Sequence, residues 1–308
     1  MSETIINTGA APRRGYALGM VLMGSVAISF AGVLVRMIET ADALQINFYR
    51  AVAQMGFVLL VLVVQHRSNV LSKIMAVGLP GVFGGLALAG ASICYMESIT
   101  TTTVANTLFL LSAIPLVTAL LARLFLGERL QRATLIAMGV AASGILVMLG
   151  ESFGGGSLYG NVMGLVTVFG FSTFAVIVRK HRDLDMMPSL LVSTAALIIV
   201  AYIVKGGDMA VSGHDIVICA VWGVFLIGLA NWTFIIASRH LEAAEVTFFM
   251  LLEFAVGPLW VWLIIGETTT VWTLVGGALV IGSVSVRAAL QIHQGHRARR
   301  RPMPIGSP

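Results

Sequence analysis

Glu245 to Glu267 reads EVTFFMLLEFAVGPLWVWLIIGE. Between the flanking acids the run is apolar throughout except for Glu253, near its middle. At 1.5 Å per residue it is long enough to cross a bilayer core of ~30 Å. That puts a carboxyl group close to the depth where a charge costs most, ~3 kcal/mol for an Asp on insertion scales and comparable for a Glu. A group that costly is paired, neutral or turned toward a water-filled cavity. A related stretch, Asn106 to Glu128, reads NTLFLLSAIPLVTALLARLFLGE. A shift of 139 residues carries Ala105 onto Ala244, Phe109 onto Phe248, Leu120 onto Leu259 and Leu124 onto Leu263. The same shift of 139 carries Gly127 onto Gly266, Glu128 onto Glu267, and Thr134 and Leu135 onto Thr273 and Leu274. The chain reads as one unit written twice.

Composition sets the class. Hydrophobic residues make up 58% of the 308 and charged residues 11%, against roughly 25% charge in a soluble domain. This is the composition of an integral membrane protein, and the net charge of +5 reads as topology-holding loops and not as a nucleic-acid surface. The two cysteines, Cys94 and Cys219, lie inside apolar runs with no C-x-x-C spacing, so neither a disulfide framework nor a metal site is expected. No cofactor is expected.

Apolar runs long enough to span fall at 16–35, 43–64, 74–96, 101–122, 133–150, 157–178, 186–204, 216–238, 246–266 and 269–286. The first follows Arg13 and Arg14 but is too long for a signal-peptide core and ends at Arg36, so it is read as a retained span. With the N-terminus inside, only Arg36, Arg50 and Lys205 of the 19 Lys and Arg residues fall on the outer side, so both termini are expected in the cytoplasm. Ten spans divide as five plus five. An odd number per unit forces the second unit to enter the membrane upside down, and inverted repeats place a binding site near the midplane. The expected organisation is a tail at 1–14, a five-helix unit at 15–150, a Gly/Ser-rich joint at 151–157, a second five-helix unit at 158–290 and a basic tail at 291–308. The tails are expected to be disordered. The fold class is thus all-α, with ten transmembrane helices in two inverted repeats.

Several residues have two readings. Glu253 is either a carboxyl hydrogen-bonded to a neighbouring helix or a protonatable group in a translocation path. Trp260, seven residues on and so on the same helical face, either joins Glu253 in holding a cationic or aromatic ligand or belongs with Trp262 to an interfacial aromatic belt. Pro258 and Pro115 are expected to kink their helices. Asn231 and Asn106 are polar groups near membrane depth, for which helix-to-helix hydrogen bonds are the default. Glu97, beside Tyr95, is expected at the interface. Arg50 is expected to snorkel outward or to pair with an acid such as Glu39. Gly81 with Gly85, Gly160 with Gly164, and Ala278 with Gly282 have the small-xxx-small spacing of close helix packing.

Enzyme signals are weak. Gly150 to Gly154 formally matches G-x-S-x-G, but a nucleophile elbow needs a preceding strand. There is no phosphate-binding G-x-x-x-x-G-K-[ST], and the six histidines form no i, i+4 pair in any apolar run.

These same residues resemble the drug/metabolite transporter superfamily, specifically permeases with two EamA-type domains. The resemblance covers about 16–290. It rests on LFLGERL (124–130), IIGE (264–267), IPL (114–116) and the LLE at 251–253. In many members a proline directly follows that acid, whereas here Phe254 follows and the proline comes at 258. The resemblance implies a secondary active transporter in the cytoplasmic membrane for a small polar or amphipathic organic metabolite, amino-acid-like or drug-like, working as an exporter and as a monomer or homodimer. The alternative is an uptake permease for a vitamin such as riboflavin or a nucleoside-like compound. The expected substrate contacts are Glu253, Asn231, Trp232, Tyr95, Asn106 and Trp260, with Glu253 also the proton-coupling group.

Overall fold

In lipid no water satisfies a free N–H or C=O, so a chain this apolar must close its backbone hydrogen bonds within each segment. The computed structural model describes residues 10–128, 130–152, 158–181, 184–230, 233 and 243–299, and among them there is no strand. The helices are α1 (Ala10–Ser29), α2 (Ala31–Met37), α3 (Ala43–His66), α4 (Val70–Ala76), α5 (Gly78–Thr101), α6 (Val104–Leu111) and α7 (Ile114–Leu126). There follow α8 (Arg132–Ser152), α9 (Leu158–Lys180), α10 (Ser189–Val204), α11 (Gly213–Val221), α12 (Ala243–Ile265) and α13 (Val271–Arg299). From α11 the chain continues into a π-helical turn, Trp222–Gly228.

Local chemistry sets the ends. Asp42 caps α3 through the N–H groups of Leu44 and Gln45, and the Gln45 side chain answers the Asp42 N–H in a capping box. Thr103 caps α6 by accepting the Asn106 N–H, and Ser212 caps α11 by accepting the Asp215 N–H. Gly127 and Gly266 follow α7 and α12 with φ of 70° and 77°, the left-handed cap that glycine adopts without strain. The expected run at 74–96 becomes a helix that starts at Gly78, whose φ of 54° separates it from α4. Pro115 lies in the first turn of α7, where its missing N–H costs nothing, and the chain breaks before it at Ser112 and Ala113. α12 runs on through Pro258.

Among the described residues, seven helical segments are long and apolar enough to cross a membrane: 16–37, 43–65, 78–101, 104–126, 132–150, 158–180 and 271–290. The expected runs at 186–204 and 246–266 correspond to α10 and to α12, a helix of 23 residues, and the described part of the run at 216–238 corresponds to α11 with the π turn. α10, with 16 residues, reaches about 24 Å, short of a hydrocarbon core of ~30 Å. The tails differ from expectation where they are described: α1 begins at Ala10 and α13 continues to Arg299. The joint at 151–157 lies largely outside the described residues.

The bundle packs α5 against α9 and α10, α3 against α10 and the π turn, α8 against α13, α1 against α12, and α7 against α9. Small residues permit the closest approaches. A Cβ on Gly85 would sit 2.6 Å from the Ser189 carbonyl oxygen, and one on Gly144 would sit 2.5 Å from that of Gly276. Gly282 faces open space instead. Met96, Ile99, Val104, Leu108, Trp222 and Val261 form part of a shared core.

Polar side chains tie the ends of this bundle. The Asp215 carboxylate is fully buried. It accepts from the backbone N–H groups of Glu39 (3.0 Å), Thr40 (2.8 Å) and Ala41 (3.0 Å) and from the Thr40 hydroxyl. Lys205 pairs with Asp42 at 2.6 Å. Burial alone pushes the Asp42 carboxyl upward, but Lys205 and the N–H groups of Gln45 and Leu44 outweigh it and hold it below the usual aspartate value. Because the folded value is depressed, that contact is complete at neutral pH and fades only as the pH falls through the lowered value.

Replacing Asp215 by Ala takes the acceptor from three part-buried backbone hydrogen bonds. The expected loss is on the order of 2–4 kcal/mol, read as a lowered melting temperature of purified protein in detergent. An unchanged melting temperature would show that water replaces the carboxylate.

Candidate functional site

The site forms where the helices lose their regularity. α1 and α2 meet at a break at Phe30, and Ser29 there turns its hydroxyl back to the Val26 carbonyl at 2.6 Å. Trp260 of α12 donates its indole N–H to Ser29 Oγ at 3.1 Å and stacks on Phe30 with centroids 4.7 Å apart. Trp260 is therefore held inside the bundle, unlike Trp262, which is exposed on the outer surface of the same helix. The second irregularity is the π turn. Its first residue, Trp222, is buried and lies 5.2 Å beneath the guanidinium of Arg50, a cation–π contact. π turns inside α-helices recur at functional sites.

Arg50 corrects the sequence expectation. It is only 4% exposed, so it does not snorkel, and it does not pair with Glu39, whose backbone belongs to the Asp215 cluster. The reason is its place two turns into α3, where the Trp222 ring, Asn47 Oδ1 (2.8 Å) and Ser92 Oγ (2.6 Å) hold it. No carboxylate pairs with it among the described residues. Its Nε and the Nδ2 of Asn47, one turn away, are both buried donors without an acceptor.

Glu253 lies on α12 and is partly exposed. Among the described residues nothing forms a hydrogen bond or ion pair with its carboxylate. Tyr95 of α5 is buried and within electrostatic reach of both Arg50 and Glu253. The neighbourhood thus holds a guanidinium and a carboxyl group that form no ion pair with each other.

The other expected contacts separate. The Asn106 amide is spent on packing: Nδ2 donates to Thr102 Oγ1 at 3.0 Å and Oδ1 accepts from the Thr273 hydroxyl at 2.8 Å. Asn231 and Trp232 lie outside the described residues. Glu97 is half-buried near the end of α5, where the Tyr159 hydroxyl reaches it at 3.5 Å. The residues that sequence reasoning missed are Asn47, Ser92 and Trp222. The available signal was Asn47 and Arg50 at i, i+3 in an otherwise apolar run, two polar groups sharing one helical face.

The helices are those of a multi-pass membrane protein. The EamA-like transporter family matches residues 15–150, which supports the drug/metabolite transporter superfamily and points to a membrane transporter of small molecules. No curated protein matches the chain. One solved crystal structure shares the fold with a TM-score of 0.65 at 17% identity, covering 90% of this chain and 98% of its own.

An apolar side chain at position 50 removes an uncompensated buried charge. Arg50→Met is expected to leave ligand-free protein as stable or more stable, by up to about 3 kcal/mol, while ligand-induced thermal stabilisation disappears. A large loss of stability would instead mark Arg50 as structural.

Proposed function

We propose that the chain is a secondary active transporter of small polar or amphipathic metabolites, built as ten helices in two inverted five-helix repeats, and that its substrates are amino-acid-like. One observation carries the substrate reading. Arg50 with Asn47 offers unmet donors to a carboxylate, and Glu253 offers an acceptor to an ammonium or a proton, with Tyr95 within electrostatic reach of both. Buried ionisable groups in a membrane protein mark a substrate or ion path.

The repeat reading rests on register and on pairing. Under the 139-residue shift the start of α6 falls on the start of α12 (Val104, Ala243) and the end of α7 on the end of α12 (Leu126, Ile265). Both left-handed glycines coincide, as do the starts of α8 and α13 (Arg132, Val271). Helix pairing also survives exchange of the two halves: α7 against α9 answers α12 against α1, and α5 against α10 answers the π turn against α3. The inversion is supported by Glu267, just past α12, which accepts from the Val104 N–H that opens α6. The charge asymmetry supports cytoplasmic termini in the inner membrane, and export is the direction adopted. The Phe30–Trp260 stack favours one second reading, uptake of a flat-ringed vitamin such as riboflavin or of a nucleoside-like compound.

In proteoliposomes, radiolabelled amino acids are expected to move in response to a pH gradient. Glu253→Gln should remove that response while leaving exchange of internal for external substrate. Coupling that survives the substitution would eliminate Glu253 as the proton site. Transport of riboflavin or a nucleoside in place of amino acids would select the second reading.

A further inference from the structure

Two ion pairs occupy matching places at opposite ends of the bundle. Arg36 Nε meets Glu267 Oε2 at 2.6 Å, and Arg179 Nη2 meets Glu128 Oε2 at 3.0 Å. The acids are the repeat-related pair, each directly after a left-handed glycine. The arginines are alike too: Arg36 is the penultimate residue of α2 and Arg179 that of α9, where each closes the first span of its half. Each half therefore ends its fourth span on an acid that reaches the first span of the other half. The helical stretch 104–126 separates the two sites by about 35 Å, since Glu267 touches its beginning and Glu128 follows its end.

The two pairs are not equally bound. Glu267 also accepts the Val104 N–H at 2.8 Å, and Arg36 also donates to the Thr102 carbonyl at 2.9 Å. These side chains are 17% and 24% exposed, whereas Glu128 and Arg179 are 39% and 58% exposed. The first pair thus joins three segments (α2, α12 and the turn before α6), and the second joins two.

Resting on the transporter reading above, we propose that these pairs are the two closures of the transport path, each broken in turn while the other holds. The structure has both made at once, the occluded arrangement. Opening at the Glu267 end requires Glu267 to release both Arg36 and the start of α6. Opening at the Glu128 end requires release of Arg179 alone. By the repeat relation, the group that Glu128 would cap in its tighter state is the N–H of Ala243, which opens α12 as Val104 opens α6. A contact made in only one of two states shifts their populations by its own free energy.

Val33 and Val176 supply the readout. Each lies three residues before its arginine, and each is 5% exposed. In a full-length background with Cys94 and Cys219 replaced by Ala, Val33→Cys and Val176→Cys are introduced separately and reacted with a membrane-impermeant maleimide in vesicles of either orientation. Glu267→Gln is expected to raise labelling at position 33 about fivefold or more, the scale of a modest coupling free energy, and to lower it at position 176. Glu128→Gln should do the reverse. Gln keeps an oxygen for the Val104 N–H, so the fold is retained; where it is not, Arg36→Gln and Arg179→Gln report on the same pairs. No change, or a rise at both positions, overturns the proposal. Amino-acid uptake by the unsubstituted protein is measured in the same vesicles. Transport without reciprocal labelling removes only the closures, whereas absence of transport removes the reading beneath them.

Discussion

A charge taken out of water must be answered by another group, and several charges of this bundle are. Arg36 meets Glu267, Lys205 meets Asp42, and Asp215 gathers a whole turn of backbone. Arg287 reaches Thr134 and Gln131 across the α8–α13 contact. Except for Arg287, which lies midway along α13, these sit near the ends of helices, where they fix how one helix meets the next. Arg50, held by Asn47, Ser92 and the Trp222 ring, and Glu253 lie away from the helix ends, and among the described residues neither forms an ion pair. A low-dielectric interior makes an unmet charge far more costly than a missing packing contact. Two such groups, both within electrostatic reach of Tyr95, mark the candidate site.

The site also lies where the backbone departs from plain α-helix. Hydrogen-bonded helices hide their own polar groups, so a binding surface inside a membrane bundle needs either side chains or broken turns. The break at Phe30 and the π turn at Trp222 supply the turns, and Ser29, Asn47 and Ser92 supply short polar side chains beside them. Aromatic rings hold the geometry. Phe30 stacks on Trp260, and Trp222 supports the Arg50 guanidinium through its face.

Much of this was legible in the residues. The all-helical class and the long apolar helices follow from hydrophobic runs and spacing. Helix ends were less legible, because Gly78 and Gly127 act through a backbone angle that an apolar count does not register. α10, as apolar as its neighbours, is likewise shorter than the run at 186–204 that hydropathy marks. Arg50 was misplaced because one-dimensional distance from a helix start suggests an escape to the surface, whereas Trp222, Asn47 and Ser92 converge on it in space. Asn106 illustrates the opposite case. Its polarity drew it toward the site, and its partners, Thr102 and Thr273, turn it into a strut between helices.

The Asp215 cluster has a mechanical consequence. By holding residues 39–41 to the start of α11, it yokes the far end of α2 to a helix of the other half. α2 cannot swing away at that end without dragging α11 with it. The compliant point for α2 is then the discontinuity at Phe30, below the yoke and beside the rings of the site. Any strain put on the stacked Phe30 and Trp260 is delivered through a short, stiff lever whose other end is anchored by a single carboxylate.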